Sequence, residues 1–152
     1  MKTAVILAAG LGTKVWPYGE FRQKCTLPVA NTPLVRRLAL QLKELGFSRL
    51  IVVMGHYRQQ VRGALADIEG VEFVTQSDPS EGSATAVLTA LPTGIDEEFL
   101  VAYGDVVTAD ENLKKLIRSF KNTDAEAAAL VQRLDRERPN DWICAGVSGD
   151  RL

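Results

Sequence analysis

The chain has 152 residues, 46% hydrophobic and 24% charged, which suits one ordinary domain with a single core and excludes disorder or a fibrous repeat. Eighteen Lys and Arg against 19 Asp and Glu leave a formal net charge of −1, so neither nucleic acid nor an anionic membrane is an expected partner, and any anion-binding charge must be local. The apolar run at 3–10 is too short for a membrane span and lacks the basic flank of a secretory signal, so a cytoplasmic protein is expected.

Residues 4–8, Ala-Val-Ile-Leu-Ala, form a continuous apolar run ending at a glycine loop, the pattern of a strand buried on both faces. After Asn31 a helix is expected: Thr32 can cap it, Pro33 suits its first position, Leu34, Leu38, Leu42 and Leu45 share one face, and Gly46 ends it. Residues 50–54 read as a second buried strand and 57–68 as a helix with Val61, Leu65 and Ile68 inward. A third strand spans 71–75, and helical propensity runs through 84–91 until Pro92. A fourth strand at 99–103 leads into Gly104-Asp105, and Asp110 caps a helix with Leu113, Leu116, Ile117 and Phe120 inward. At 125–131 alanine propensity favours a helix and alternation favours a strand; the strand is taken. Residues 142–147 read as a last strand, with a hairpin turn at Ser148-Gly149-Asp150.

Strands alternating with helices across short loops imply an α/β domain with a mostly parallel, doubly wound sheet, whose ligands bind beyond the carboxyl ends of the strands. The final hairpin has only begun at Arg151-Leu152, so a truncated form of such a domain is expected. A partly exposed sheet edge leaves a homo-oligomer open.

The loop after the first strand carries the strongest chemical hint. In Ala8-Ala9-Gly10-Leu11-Gly12-Thr13-Lys14, two glycines let the backbone approach a ligand and turn its amides toward phosphate oxygens, while Thr13 adds a hydroxyl and Lys14 a cation. A Walker loop is excluded because Thr13 precedes Lys14, and the dinucleotide fingerprint is excluded because Val15 stands where its third glycine is required. Two cysteines, Cys25 and Cys144, and one histidine, His56, form neither a disulfide framework nor a zinc site. Cys25, beside Lys24, is open between a thiol of lowered pKa and a bystander.

The run Leu7-Ala8-Ala9-Gly10-Leu11-Gly12-Thr13-Lys14, then Pro17, Lys24 and Leu27-Pro28-Val29-Ala30-Asn31-Thr32-Pro33-Leu34, resembles the signature of the sugar-1-phosphate nucleotidylyltransferases. Gln76 with Glu81-Gly82-Ser83-Ala84 resembles the family's base-reading stretch, and Tyr103-Gly104-Asp105-Val106 resembles its metal-binding Gly-Asp element. The uridylyl- and thymidylyltransferase branch is the most similar.

The resemblance implies a Rossmann-like nucleotidyltransferase domain, of which this chain is the N-terminal nucleotide-binding portion and the sugar-binding portion lies outside it. It implies in-line attack of a sugar-1-phosphate on the α-phosphorus of a nucleoside triphosphate, releasing pyrophosphate, with Mg²⁺ as cofactor. Leu7, Ala8, Ala9, Gly10, Gly12 and Thr13 would bind substrate, and Lys14 and Lys24 would act on the phosphates as catalytic residues. Gln76, Gly82 and Ser83 would meet a uracil or thymine nucleotide, and Asp105 would hold the metal. Out of that context Asp105 reads equally as a turn carboxylate, and Gln76 as a solvated loop amide. Lys14 stands where the family has arginine, Ser83 where it has threonine, and Gln23 and Cys25 replace prolines flanking the family lysine, which implies a less rigid loop. Two further readings stay open: a non-catalytic nucleotide-sugar-binding module of the same fold, and an inactive excised fragment.

Overall fold

The computed structural model describes residues 1–133 and divides into two units, Met1–Asp110 and a second from Glu111 onward. In the first unit, four parallel strands form one sheet: β1 Thr3–Ala8, β4 Arg49–Met54, β5 Val71–Thr75 and β6 Phe99–Tyr103, in the spatial order β5-β4-β1-β6. A two-residue hairpin, β2 Pro28–Val29 with β3 Thr32–Pro33, precedes helix α1 Leu34–Glu44. Helices α2 Arg58–Leu65 and α3 Gly82–Ala90 complete the crossovers. Helix α4 spans Asp110–Lys121.

The order of the strands dictates which face each helix covers. From β1 the chain steps to β4 and then to β5 in one direction, then returns past β1 to β6. Parallel crossovers are right-handed, so α1 and α2 fall on one face and α3, on the returning crossover, falls on the other. The core follows this division. Val5, Leu7, Ile51 and Val53 pack with Ala86 and Ala90 of α3, while the alternate residues Ala4, Ile6, Ala8, Leu50, Val52 and Met54 are equally buried with Val35, Leu38 and Leu42 of α1 and Val61 and Leu65 of α2. Each large aliphatic side chain so buried contributes about 1.5–3 kcal/mol of transfer free energy. In register, Leu7 lies between Val53 and Tyr103, so the ends of β4 and β6 flank the end of β1.

The expected strands at 4–8, 50–54, 71–75 and 99–103 are present, each within one residue of its bounds. The helix after Asn31 starts later than expected. Ala30 and Asn31 both adopt left-handed φ, 50° and 61°, the turn that joins two-residue hairpins. Thr32–Pro33 is consequently extended against Pro28–Val29, and Pro33 sits at the N-cap. The helix expected at 57–68 ends at Leu65, with Ile68 closing a turn onto the Leu65 carbonyl. Arg36 of α1 forms a two-pronged bond to Asp67 behind α2, and this pairing holds the Asp67 carboxyl down at about 2.

The strand expected at 125–131 is not formed. Residues 125–131 are irregular and exposed, Leu130 by 50% and Val131 by 54%, and no ladder partner lies beside them among the described residues. Alternation stabilises a strand only where a second strand supplies hydrogen bonds and a surface to cover, and three consecutive alanines offer little apolar area. The strand expected at 142–147 and its hairpin lie outside the described residues. Among the described residues no helix is long and apolar enough to cross a membrane.

Two glycines make opposite predictions. A Cβ on Gly55, after β4, would lie 2.6 Å from the Ala9 carbonyl oxygen and 2.8 Å from Pro79 Cγ, whereas one on Gly63, inside α2, would meet nothing within 4 Å. Urea unfolding should show Gly55→Ala destabilised by about 1–3 kcal/mol through overpacking, and Gly63→Ala stabilised by roughly 0.5–1 kcal/mol through helix propensity.

Candidate active site

The crevice where the strand order reverses lies between the carboxyl ends of β1 and β6, and loops from both strands enter it. After β1, Ala9 remains buried and its carbonyl accepts from the His56 amide at 3.2 Å, which ties the loop to the end of β4. Gly12 takes a left-handed conformation, φ 74° and ψ 24°, which an L side chain resists. Its carbonyl accepts from Val15 to close a 3-10 turn, Thr13–Val15, with Thr13 and Lys14 on the surface. The chain then passes through a second such turn, Tyr18–Glu20, and reaches a third, Lys24–Thr26.

That third turn returns Lys24 to the glycine loop. A Cβ on Gly10 would lie 3.5 Å from Lys24 Cε, so the lysine stem runs across Gly10. The Lys24 ammonium ends 2.8 Å from Asp105 Oδ2, with both side chains about a third exposed. Gly104 sets Asp105 in place: its amide donates to the Leu7 carbonyl at 2.9 Å, and a Cβ there would lie 3.1 Å from Cys25 Sγ. The glycine before Asp105 therefore answers to the thiol beneath it.

Cys25 is completely buried. Burial, reinforced by the Asp105 carboxylate, pushes its thiol up from 9.0 to about 12, against the weaker pull of Lys24. The lowered pKa left open by its place beside Lys24 is not realised, because desolvation outweighs one partly solvated ammonium.

The loop carrying Lys24 is also better tied than the missing prolines suggest. Gln23 is 1% exposed; its side-chain amide donates to the carbonyls of Ala8 at 2.9 Å and Gly10 at 3.2 Å, and its oxygen accepts from the Cys25 amide. Gln60 of α2 accepts from the Gln23 main-chain N–H at 2.9 Å and donates to the Phe21 carbonyl at 2.9 Å. Tyr57 donates its hydroxyl to the Glu20 carbonyl. Gln60 and Tyr57 escape sequence reasoning because no local pattern reveals a bond to a loop so distant in the chain. For Gln23 the one signal was its unusual place next to Lys24.

The base-reading candidates gather on the α3 side. Gln76 is 3% exposed; its amide N–H donates to the Met54 carbonyl at 2.8 Å and its side chain to the Gly82 carbonyl at 3.2 Å. Gly82, at φ 86°, opens α3, and Ser83 accepts from the Tyr103 hydroxyl at 3.2 Å, linking the start of α3 to the end of β6. The structure thus brings Gly10, Lys24 and Asp105 together and sets Gln76, Gly82 and Ser83 as a second group, with Lys14 in the exposed turn between 13 and 15.

A profile of the MobA-like NTP transferase domain matches residues 4–148. The chain belongs to this family. The chain is 34% identical over 137 residues to the bifunctional protein GlmU of Prochlorococcus marinus (strain MIT 9313), covering 88% of this chain and 30% of that protein. It is 32% identical over 150 residues to the UTP–glucose-1-phosphate uridylyltransferase AglF of Haloferax volcanii, covering 93% of this chain and 58% of that protein. The chain therefore spans about a third to just over half of these relatives.

Among solved structures, a UDP-glucose pyrophosphorylase from Acinetobacter baumannii superposes with a TM-score of 0.70 at 21% identity, over 82% of this chain and 54% of that one. The inositol-1-phosphate CTP transferase from T. maritima gives 0.68 at 23%, over 75% of this chain and 47% of that one. At these identities the likeness is one of fold, and it establishes the Rossmann-like nucleotidyltransferase architecture for the NTP transferase domain described here.

The thiol gives a direct check on the site's interior. Peptide mapping after iodoacetamide at pH 8 should find Cys25 unmodified in the folded chain and modified once the chain is denatured. The unfolded chain releases this proton first, so Cys25 lowers folding stability progressively as the pH rises from 9.0 toward about 12.

Proposed function

We propose that the chain transfers a nucleotidyl group from a nucleoside triphosphate, UTP or dTTP, to a sugar-1-phosphate, giving a nucleotide sugar and pyrophosphate. The observation that carries this reading is the Lys24–Asp105 pair, held 2.8 Å apart beside the glycine loop in the crevice where the strand order reverses. An ammonium and a carboxylate beside a backbone cradle are what the meeting of two phosphate anions needs: a cation for developing charge and an acid group for a metal.

In this reading the amides of the loop from Gly10 to Thr13 and the Lys14 ammonium hold the outer phosphates, and Lys24 sits at the α-phosphate. Reaction then depends on positioning and charge neutralisation, and no covalent intermediate is required. Among the described residues no three His, Cys, Asp or Glu side chains gather as a metal cage. A magnesium ion carried in on the triphosphate needs only one or two carboxylates, and Asp105 supplies one. Bound there, the ion would neutralise phosphate charge and polarise the phosphorus–oxygen bonds. Asp105 would have to exchange its bond with Lys24 for the metal, which frees the ammonium for the α-phosphate.

The uracil or thymine preference rests on Gln76. A carboxamide donates to a ring carbonyl and accepts from a ring N–H, the pair that these bases present and cytosine does not. Its bond to Gly82 takes one of its two N–H donors. The name of the AglF relative, a UTP–glucose-1-phosphate uridylyltransferase, supports the same choice.

The test is pyrophosphate release from UTP or dTTP with glucose-1-phosphate and N-acetylglucosamine-1-phosphate in Mg²⁺. Asp105→Asn and Lys24→Met should each lower kcat by about a hundredfold or more, with folding stability changed by no more than about 1 kcal/mol because the pair is partly solvated. Undiminished turnover in Asp105→Asn would remove the metal role. Nucleotide-sugar uptake in calorimetry without pyrophosphate release would instead identify a binding module.

A further inference from the structure

We infer that Gln23 is the positioning residue of the site, its buried carboxamide locking the glycine loop and the Lys24 turn into one geometry. The reading draws on the proposed nucleotidyl transfer for its kinetic consequence alone. The carboxamide has two N–H donors and one oxygen acceptor, and all three functions are spent on main-chain groups within the site. Its nitrogen takes the carbonyl of Ala8, the last residue of β1, and the carbonyl of Gly10, the first glycine of the loop. Its oxygen takes the amide of Cys25, the residue just past Lys24.

Lys24 is therefore bracketed. The residue before it is fixed through its own side chain to β1 and through its main-chain N–H to Gln60. The residue after it is fixed through its amide to the same carboxamide and through its buried thiol against Gly104. Thr26 closes the turn by donating its hydroxyl to the Gln23 carbonyl at 2.8 Å. Between these fixed points the Lys24 stem runs across Gly10 to Asp105.

Two substitutes of similar size cannot make these bonds. A carboxylate of the same length cannot donate to Ala8 and Gly10 when ionised, and an aliphatic chain removes the partner of two carbonyls and an amide, the Ala8 carbonyl and the Cys25 amide being bonded in the buried interior. Because the hydrogen bonds of the Gln23 carboxamide run to main-chain groups of the loop and the turn, it acts through Lys24 and the loop, and its loss should be felt in turnover more than in substrate binding.

The test uses the 152-residue chain with Gln23→Met, which keeps the volume and removes the bonds. Hydrogen exchange read by mass spectrometry should show the amides of 9–13 and 24–26 exchanging about tenfold faster or more, with β4 and α1 unchanged. Pyrophosphate release should show kcat lower by about tenfold or more, with KM for the sugar-1-phosphate within about twofold. Unaltered exchange in those two segments, or faster exchange spread evenly over the whole chain, overturns the inference, as does a fall in kcat/KM carried by KM. If Gln23→Met does not fold, Gln60→Met removes the outer tie to Gln23 and Phe21 and carries the same expectation at smaller size. A wild-type chain that transfers no nucleotide yet shows the local change in exchange would defeat the proposed function and leave the clamp standing. An active chain with both readouts unmoved by the substitution would do the reverse.

Discussion

The constraint on which the rest depends is the complete enclosure of β1. It is hydrogen-bonded to β4 on one edge and β6 on the other, and its side chains from Ala4 to Ala8 are buried on both faces. A strand so enclosed has no room for chemistry along its length, so polar function must begin where it ends. Its position also fixes the place. Because the chain leaves β1 in one direction and returns on the other side, the crossover helices diverge to opposite faces and leave a gap over its carboxyl end. The glycine loop, Lys24 and Asp105 occupy that gap because the winding opens no other beside β1.

Energetics divides along the same line. Aliphatic burial beneath the loops supplies the stability, while the loops are held by individually modest hydrogen bonds from Gln23, Gln60 and Tyr57 to main-chain carbonyls. Close packing adds a steric limit. A methyl group on Gly55 would strike the Ala9 carbonyl and one on Gly104 would press on the Cys25 thiol, so the loops after β1, β4 and β6 share a floor without space for either.

The legible parts of the sequence were those in which a short stretch carries its own physics. The strand at 50–54 is an apolar run buried throughout, the edge strand at 99–103 is a short apolar run ending at Gly104, and Gly46, at φ 92°, ends α1 where a left-handed residue is needed. Lys24 and Asp105 were legible singly, through resemblance, but their 2.8 Å contact was not, since pairing across the sheet has no local signature. The hairpin before α1 was hidden because alanine at φ 50° contradicts propensity, and tertiary pairing of residues 28–29 with 32–33 prevails over it. The strand at 125–131 failed for the opposite reason: local alternation was present and a partner was absent among the described residues. Gln23 marked a departure from a pattern, and only its burial shows that the departure substitutes a polar clamp for a stiff ring.

The mutual neutralisation of Lys24 and Asp105 has a consequence at long range. A lone ammonium projects a field that draws anions from a distance, whereas a tight ion pair projects only that of a dipole, which decays faster and is further weakened by salt. The pair therefore contributes little to the speed with which an approaching anion finds the crevice. In the proposed reaction its positive charge would become effective only after arrival, once something else had engaged the carboxylate, so that encounter and activation would be governed by different charges on the same protein.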